Sequence, residues 1–192
     1  MNDRTKSSLR LPLQPLVRLL RALRIAPDAV TVAGLVLSIA CGYLLSQGRF
    51  VAGGLVLLLS GLSDVLDGEL ARKSNQARPL GAFLDSSFDR ISEFAVFFGI
   101  FWYFRSSSGM AALVFGTLFA SLAVSYVRAR AEGIGTECKV GLFERPVRYV
   151  FLVVGVFLHR YLYVALWVIL AGSAFTVIQR IVHVVNKARE RV

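Results

Sequence analysis

The chain has little of what disulfide scaffolds and soft-metal sites require: two cysteines and two histidines in 192 residues. Cys41 falls inside an apolar run and Cys138 in a short polar stretch, so neither a disulfide framework nor a zinc site is implied. His159 and His183 stand alone, with no second histidine or carboxylate at a ligating spacing. Charge is scarce too, at 18% of residues against 56% hydrophobic, which excludes an ordinary soluble domain. Acidic residues are the rarest charged class, 12 against 22 Lys and Arg, for a formal net charge of +10. The basic residues are dispersed among apolar runs instead of forming one soluble patch, so no nucleic-acid partner is expected. The opening "MNDRTKSSLR" also lacks the short apolar core and small-residue site of a cleavable signal.

What is abundant is uncharged sequence. Runs without charge cover 29–48, 50–63, 94–104, 106–127, 149–158 and 161–179. Three of them are about 20 residues long, the length that crosses hydrocarbon. The shorter ones need polar helical turns to complete a crossing. The expected fold class is therefore an all-α integral membrane protein with six transmembrane helices, since lipid tolerates no open sheet edge. Before them, Leu16, Val17, Leu19, Leu20 and Leu23 oppose Arg10, Gln14, Arg18 and Arg21 at helical spacing. That pattern predicts an amphipathic surface helix, either a plain basic anchor or a gate. The domain organisation expected is a cytoplasmic N-terminal segment, 1–27, and a six-helix membrane domain, 28–192. With six crossings, Arg49, Arg105 and Arg160 fall on one side and the other 19 of the 22 basic residues on the opposite side. The positive-inside rule then puts both termini in the cytoplasm.

Within this apolar context the stretch "SDVLDGELARKSNQARPLGAFLDSSFD" holds four of the six aspartates of the whole chain. Counted from Arg49, Asp64 and Asp67 lie ~22 and ~27 Å along a helix, and counted back from Arg105, Asp89 and Asp85 lie ~24 and ~30 Å along the next. Two antiparallel helices would bring both pairs to the same depth at the inner membrane surface. Spacings of three and four put each pair on one helical face. Four carboxylates there repel one another and call for a cation, and an all-oxygen donor set without Cys or His suits Mg2+, Mn2+ or Ca2+ better than zinc. An ordinary solvated loop is the plainer alternative, because "RKSNQARP" between the pairs is loop-like. Gly68, Ala71 and Gly81 allow a large ligand to approach the backbone, although helix packing accounts for Gly81 almost as well. Arg72 offers a fixed cation to a diphosphate oxygen.

The pattern D-x2-D-G-x2-A-R-x8-G-x3-D-x3-D is complete here as Asp64, Asp67, Gly68, Ala71, Arg72, Gly81, Asp85 and Asp89. It resembles the signature of the CDP-alcohol phosphotransferases, a family of six-helix membrane enzymes with a preceding surface helix. The resemblance implies attack of an alcohol on the lipid-bearing phosphorus of CDP-diacylglycerol, with release of CMP. It implies two divalent ions, Mg2+ or Mn2+, held by Asp64, Asp67, Asp85 and Asp89, with Asp89 also the general base, and a homodimeric assembly. "APDAVT" is similar to the family's P-N-x-x-T element, with Pro27 and Thr31 matching and Asp28 in place of Asn. By the same resemblance the CDP-lipid is held by Asp28, Thr31, Asp67, Gly68, Ala71, Arg72 and Gly81. An ionised Asp28 accepts but does not donate hydrogen bonds, so it cannot repeat every contact of an Asn.

The acceptor is read from the other basic ends. "SYVRARAEGIG", "GLFERPVRYV" and "VIQRIV" supply Arg128, Arg130, Arg145, Arg148 and Arg180. So many guanidinium groups point to a phosphate on the acceptor; the alternative is topology plus salt bridges to Glu132 and Glu144. Arg128 and Arg130, two apart, point in different directions on a helix. The first two stretches resemble those of the phosphatidylinositol-phosphate synthases within the family, except that Arg128 stands where Lys is usual. That resemblance implies inositol 1-phosphate, with Arg128, Arg130, Arg148 and Arg180 on its phosphate and Arg145 assisting. Glycerol 3-phosphate offers the same handle and would make the chain a phosphatidylglycerophosphate synthase. Intramembrane prenyltransferases also set aspartates on diphosphates, but with more helices and other spacings. A divalent-cation transporter would need carboxylates through the outer half of the membrane, where this chain has none.

Overall fold

Proline opens three of the helices. Pro27, Pro79 and Pro146 each occupy the first turn, where a missing N–H costs nothing and the fixed φ favours the helix. The computed structural model describes residues 14–73 and 78–189. Expectations for residues 1–13, Arg10 among them, lie outside the described residues. The chain is all helical: α1 Gln14–Ala22, α2 Pro27–Ser46, α3 Phe50–Lys73, α4 Pro79–Tyr103, α5 Ser108–Gly133, α6 Arg145–Phe157 and α7 Leu162–Arg189, with a 3-10 turn at His159–Tyr161 before α7. Gly48, at φ 74°, closes α2 in the left-handed conformation and turns the chain directly into α3. Gly135, at φ 72°, does the same after α5.

Among the described residues four segments are long and apolar enough to cross a membrane: α2, α3, α5 and the segment His159–Arg189 containing α7. Two of the six expected crossings do not qualify, for different reasons. The first half of α4 carries Asp85, Asp89, Arg90 and Glu93, and α6 has 13 residues, about 20 Å of helix against about 30 Å of hydrocarbon. Outward-facing Val36, Ile39, Phe115, Phe119 and Trp167 are exposed, an apolar surface that suits lipid and not water. The chain is a membrane protein.

Helices α2, α3 and α4 form one closely packed group, and α5, α6 and α7 the other. A Cβ on Gly42 would collide with the Ala95 carbonyl, and one on Gly99 with the backbone of Gly42, so α2 and α4 cross with their backbones touching. Between α2 and α3 the Ser38 and Ser60 hydroxyls meet at 2.7 Å, and Ser60 also donates to the Gly34 carbonyl. The main apolar core runs through Cys41, Leu45, Leu57, Phe97, Ile100, Val114, Val156 and Leu166. A second, small cluster joins Val17, Val30, Leu66 and Leu70 at the opposite ends of α2 and α3. Of the apolar residues expected to face a leaflet from α1, Leu16, Val17 and Leu20 pack into this cluster, while Leu19 and Leu23 remain exposed. On α3, Asp67 falls between Leu66 and Leu70 of this second cluster.

Candidate active site

All four aspartates lie inside α3 and α4, so the solvated-loop reading does not hold for them. Six of the eight signature residues, Asp67, Gly68, Ala71, Arg72, Gly81 and Asp85, line one cavity of about 390 Å3. Pro27, Asp28 and Thr31 line the same cavity from the first turns of α2, so two sequence motifs meet in one place. Arg78, Pro79 and Ala82 complete its wall. Thr31 donates to the Pro27 carbonyl at 3.2 Å, which keeps its side chain against its own helix turn.

The glycines of the cavity differ from the packing glycines. A Cβ on Gly68 would meet nothing nearer than the Arg72 guanidinium at 3.8 Å, and one on Gly81 only the Asp28 carboxylate at 3.7 Å. Neither glycine is needed for helix contact, unlike Gly42 and Gly99. Their missing side chains leave room in the cavity instead, so helix packing does not account for Gly81. Arg72 is held at the wall by Glu69, a buried carboxylate 2.8 Å away. Asp28 and Arg78 face each other at 3.6 Å with both side chains substantially exposed.

The carboxylates divide into two sets. Asp67 and Asp85 belong to the cavity; Asp67 is 5% exposed, and its Oδ2 is buried with no hydrogen-bond partner. Asp64 and Asp89 are joined by Arg145, whose Nη2 donates to Asp64 Oδ2 at 2.8 Å and whose Nη1 lies 2.6 Å from Asp89 Oδ1. Arg90 approaches the other Asp89 oxygen at 3.3 Å. Among the described residues no three carboxylate, imidazole or thiol groups form a ready-made metal cage, because a guanidinium holds two of the four aspartates. The donor chemistry nevertheless fits a hard divalent ion. It is all oxygen, it spans two facing helices, and Asp67 presents a buried carboxylate oxygen, Oδ2, without a hydrogen-bond partner among the described residues.

The five arginines expected at the acceptor phosphate do not form one cluster. Arg145 lies among the aspartates. Arg148 is 3% exposed, donates to the Phe143 carbonyl at 2.9 Å, and leaves Nε and Nη2 without a hydrogen-bond partner. It borders a second cavity of about 30 Å3, room for one water, together with Arg145, Glu93 and Tyr149. Arg180, 2% exposed, donates from Nε to the Val140 carbonyl at 2.9 Å and from Nη1 to the Val124 carbonyl at 2.6 Å, tying the 134–144 connection to α5. Arg128 pairs with Glu132 at 2.9 Å on an exposed face, as the salt-bridge alternative anticipated; Arg130 is exposed, and Glu144 makes no ion pair among the described residues.

With both bonds made to backbone carbonyls, Arg180→Ala orphans two acceptors. It should destabilise the protein by about 3 kcal/mol. Thermal unfolding in detergent measures this, and an Arg180→Ala protein of undiminished stability with only a raised acceptor KM would return Arg180 to the pocket.

Glu93 was not anticipated from sequence. It follows Asp89 by one helical turn, accepts a hydrogen bond from Ser121 at 2.5 Å, and faces Arg148 at 3.6 Å. The repeated spacing of four through Asp85, Asp89 and Glu93 was the available signal.

The profile of the CDP-alcohol phosphatidyltransferase family matches residues 24–178. The chain is 36% identical over 164 residues to an archaetidylinositol phosphate synthase of Methanothermobacter thermautotrophicus, covering 82% of each protein. It is 35% identical over 176 residues to a phosphatidylinositol phosphate synthase of Mycobacteroides abscessus, covering 86% of this chain and 80% of that one. Among solved structures, it is similar to the phosphatidylinositol phosphate synthase of Mycobacterium tuberculosis with CDP-DAG bound, with a TM-score of 0.82, 32% identity, and coverage of 88% of this chain and 92% of that one. The same enzyme in complex with manganese and citrate also aligns at a TM-score of 0.82 and 32% identity, over 88% of this chain and 87% of that one. A profile spanning most of the chain, both motifs in one cavity and relatives alike over nearly their whole length agree: this chain belongs to the CDP-alcohol phosphatidyltransferase family.

Proposed function

We propose that the protein transfers the phosphatidyl group of CDP-diacylglycerol to inositol 1-phosphate, releasing CMP, in a reaction that depends on Mg2+ or Mn2+. The convergence of Asp28 and Thr31 with Asp67, Gly68, Ala71, Arg72, Gly81 and Asp85 on one 390 Å3 cavity carries this reading. The names of the relatives support the acceptor, since archaeal and mycobacterial proteins differ in lipid but share the inositol phosphate head group. The chain lies in the cytoplasmic membrane with both termini and the active site on the cytoplasmic side, as its Lys and Arg distribution supports. Residues 28–192 form a six-helix domain in which α4 and α6 complete crossings with their polar ends, behind a surface segment, 1–27, that includes α1. A homodimer is the assembly we infer from the family.

Asp64, Asp67, Asp85 and Asp89 are the residues that would hold two divalent ions, which when bound would supply charge neutralisation of the diphosphate and of departing CMP. The remaining work falls to the chain's own groups. Asp28 and Thr31 hold the nucleotide, and Arg72, braced by Glu69, offers its guanidinium to a diphosphate oxygen. Gly68, Ala71 and Gly81 let the cytidine diphosphate lie against the backbone. Asp89 takes the proton of the attacking hydroxyl as its oxygen bonds to the lipid-bearing phosphorus and the bond to CMP breaks. A carboxylate is a weak base for an alcohol, so alignment of the reacting atoms supplies much of the acceleration. The acceptor phosphate is bound from the arginine side by Arg128, Arg130, Arg145 and Arg148, and Arg180 holds the 134–144 connection between the helices that carry them.

The test is CMP release by the purified chain in lipid nanodiscs with CDP-diacylglycerol, offered inositol 1-phosphate, glycerol 3-phosphate, free inositol or serine. Inositol 1-phosphate should be strongly preferred. Preference for glycerol 3-phosphate would reassign the acceptor, and activity only with unphosphorylated alcohols would remove the arginines from substrate binding.

A further inference from the structure

The oxygens that Arg145 holds are oxygens that a divalent ion needs. Its guanidinium donates from one nitrogen to Asp64 on α3 and sets another against Asp89 on α4, at 2.8 and 2.6 Å. Arg145 itself comes from a third element, the first residue of α6, where Pro146 fixes the helix start. A fork of this kind, with charge-assisted bonds to two carboxylates on facing helices, substitutes for a bridging cation both in charge and in position.

We propose that Arg145 is a built-in, exchangeable counter-ion of the aspartate site: it bridges Asp64 and Asp89 until divalent ions displace it, and the released guanidinium then turns toward the acceptor phosphate. Arg145 is thus a positioning residue that couples loading of one subsite to readiness of the other. The geometry favours exchange over a permanent structural bridge on two counts. The Arg145 side chain is 31% exposed and that of Asp64 26%, so neither is sealed in. Arg145 also borders the small cavity lined by Arg148 and Glu93, so a released guanidinium has a carboxylate to move toward. Glu93, facing the same cavity, keeps that arginine pair compensated in the meantime.

The inference rests on the metal reading of the four aspartates, and the experiment separates the two. Mn2+ binding to the full chain in neutral-lipid nanodiscs, with no CDP-lipid or acceptor present, is followed by isothermal titration calorimetry for wild type, Arg145→Gln and Arg145→Lys. Removing a competing cation should tighten Mn2+ binding about tenfold in Arg145→Gln, the scale of one charge-assisted hydrogen bond, with Arg145→Lys in between. In wild type, Mn2+ should raise phenylglyoxal labelling of Arg145, mapped by mass spectrometry, and leave that of Arg105 unchanged. Unfolding temperatures of the variants report whether the fold survives, and the labelling arm needs no variant. Mn2+ binding that is unchanged or weaker in a folded Arg145→Gln protein, or labelling of Arg145 that Mn2+ suppresses, overturns the exchange and leaves the metal site standing. No Mn2+ binding to wild type overturns both.

Discussion

Asp89→Asn should abolish turnover, by a factor of at least about 1000, while CDP-diacylglycerol still binds in the presence of Mn2+. The substitution keeps size and shape and removes the charge that accepts the proton. The fold should tolerate it, because Arg145 retains its 2.8 Å bond to Asp64 and Arg90 its bond to the Ser86 carbonyl. Turnover and equilibrium binding of CDP-lipid, measured on the same preparation, check the two halves separately. Joint loss of turnover and nucleotide binding would make Asp89 chiefly a metal ligand. A tenfold loss or less would remove it from the proton transfer altogether.

Gly68→Ala should raise stability and lower activity together. Gly68 lies within α3, and an alanine there improves helix propensity by about 0.5–1 kcal/mol. Among the described residues nothing opposes the added methyl, whose nearest neighbour is 3.8 Å away. The space it enters belongs to the cavity, so the KM for CDP-lipid should rise about tenfold, and further for Gly68→Val. Gly99→Ala is the contrasting control: its methyl collides with the Gly42 backbone and should destabilise the protein instead. Thermal unfolding and steady-state kinetics separate the two kinds of glycine. A Gly68→Ala enzyme with an unchanged KM would mean that the nucleotide lies elsewhere.

The aspartate pairs and the small residues between them were legible because they are local: spacings of three and four on one helix survive folding unchanged, and the composition left few other carboxylates to consider. Their joining with Asp28 and Thr31 in one cavity was legible only through resemblance, since nothing in "APDAVT" alone says which helix it meets. Helix existence was readable from the uncharged runs, whereas crossing was not. α4 has the length to cross, but its first half is charged; α6 has the apolar character, but 13 residues. Arginine partners were the least legible feature. Whether a guanidinium faces substrate, a carboxylate or a carbonyl depends on the path of the 134–144 connection, which carries no periodic signal. Arg180 therefore proved to be tied to the Val124 and Val140 carbonyls, and Arg145 to the aspartates. Glu93 lies beyond the end of the signature, and only the continued spacing of four from Asp85 and Asp89 marks it.

The aspartate cavity is expected to perform metal-dependent cleavage of a CDP-lipid. The direct measurement is CMP release from CDP-diacylglycerol and inositol 1-phosphate in nanodiscs, before and after EDTA and again after Mn2+ is restored. The account predicts CMP release that EDTA abolishes and Mn2+ recovers; release that persists in EDTA, or no release under any of the three conditions, would contradict it.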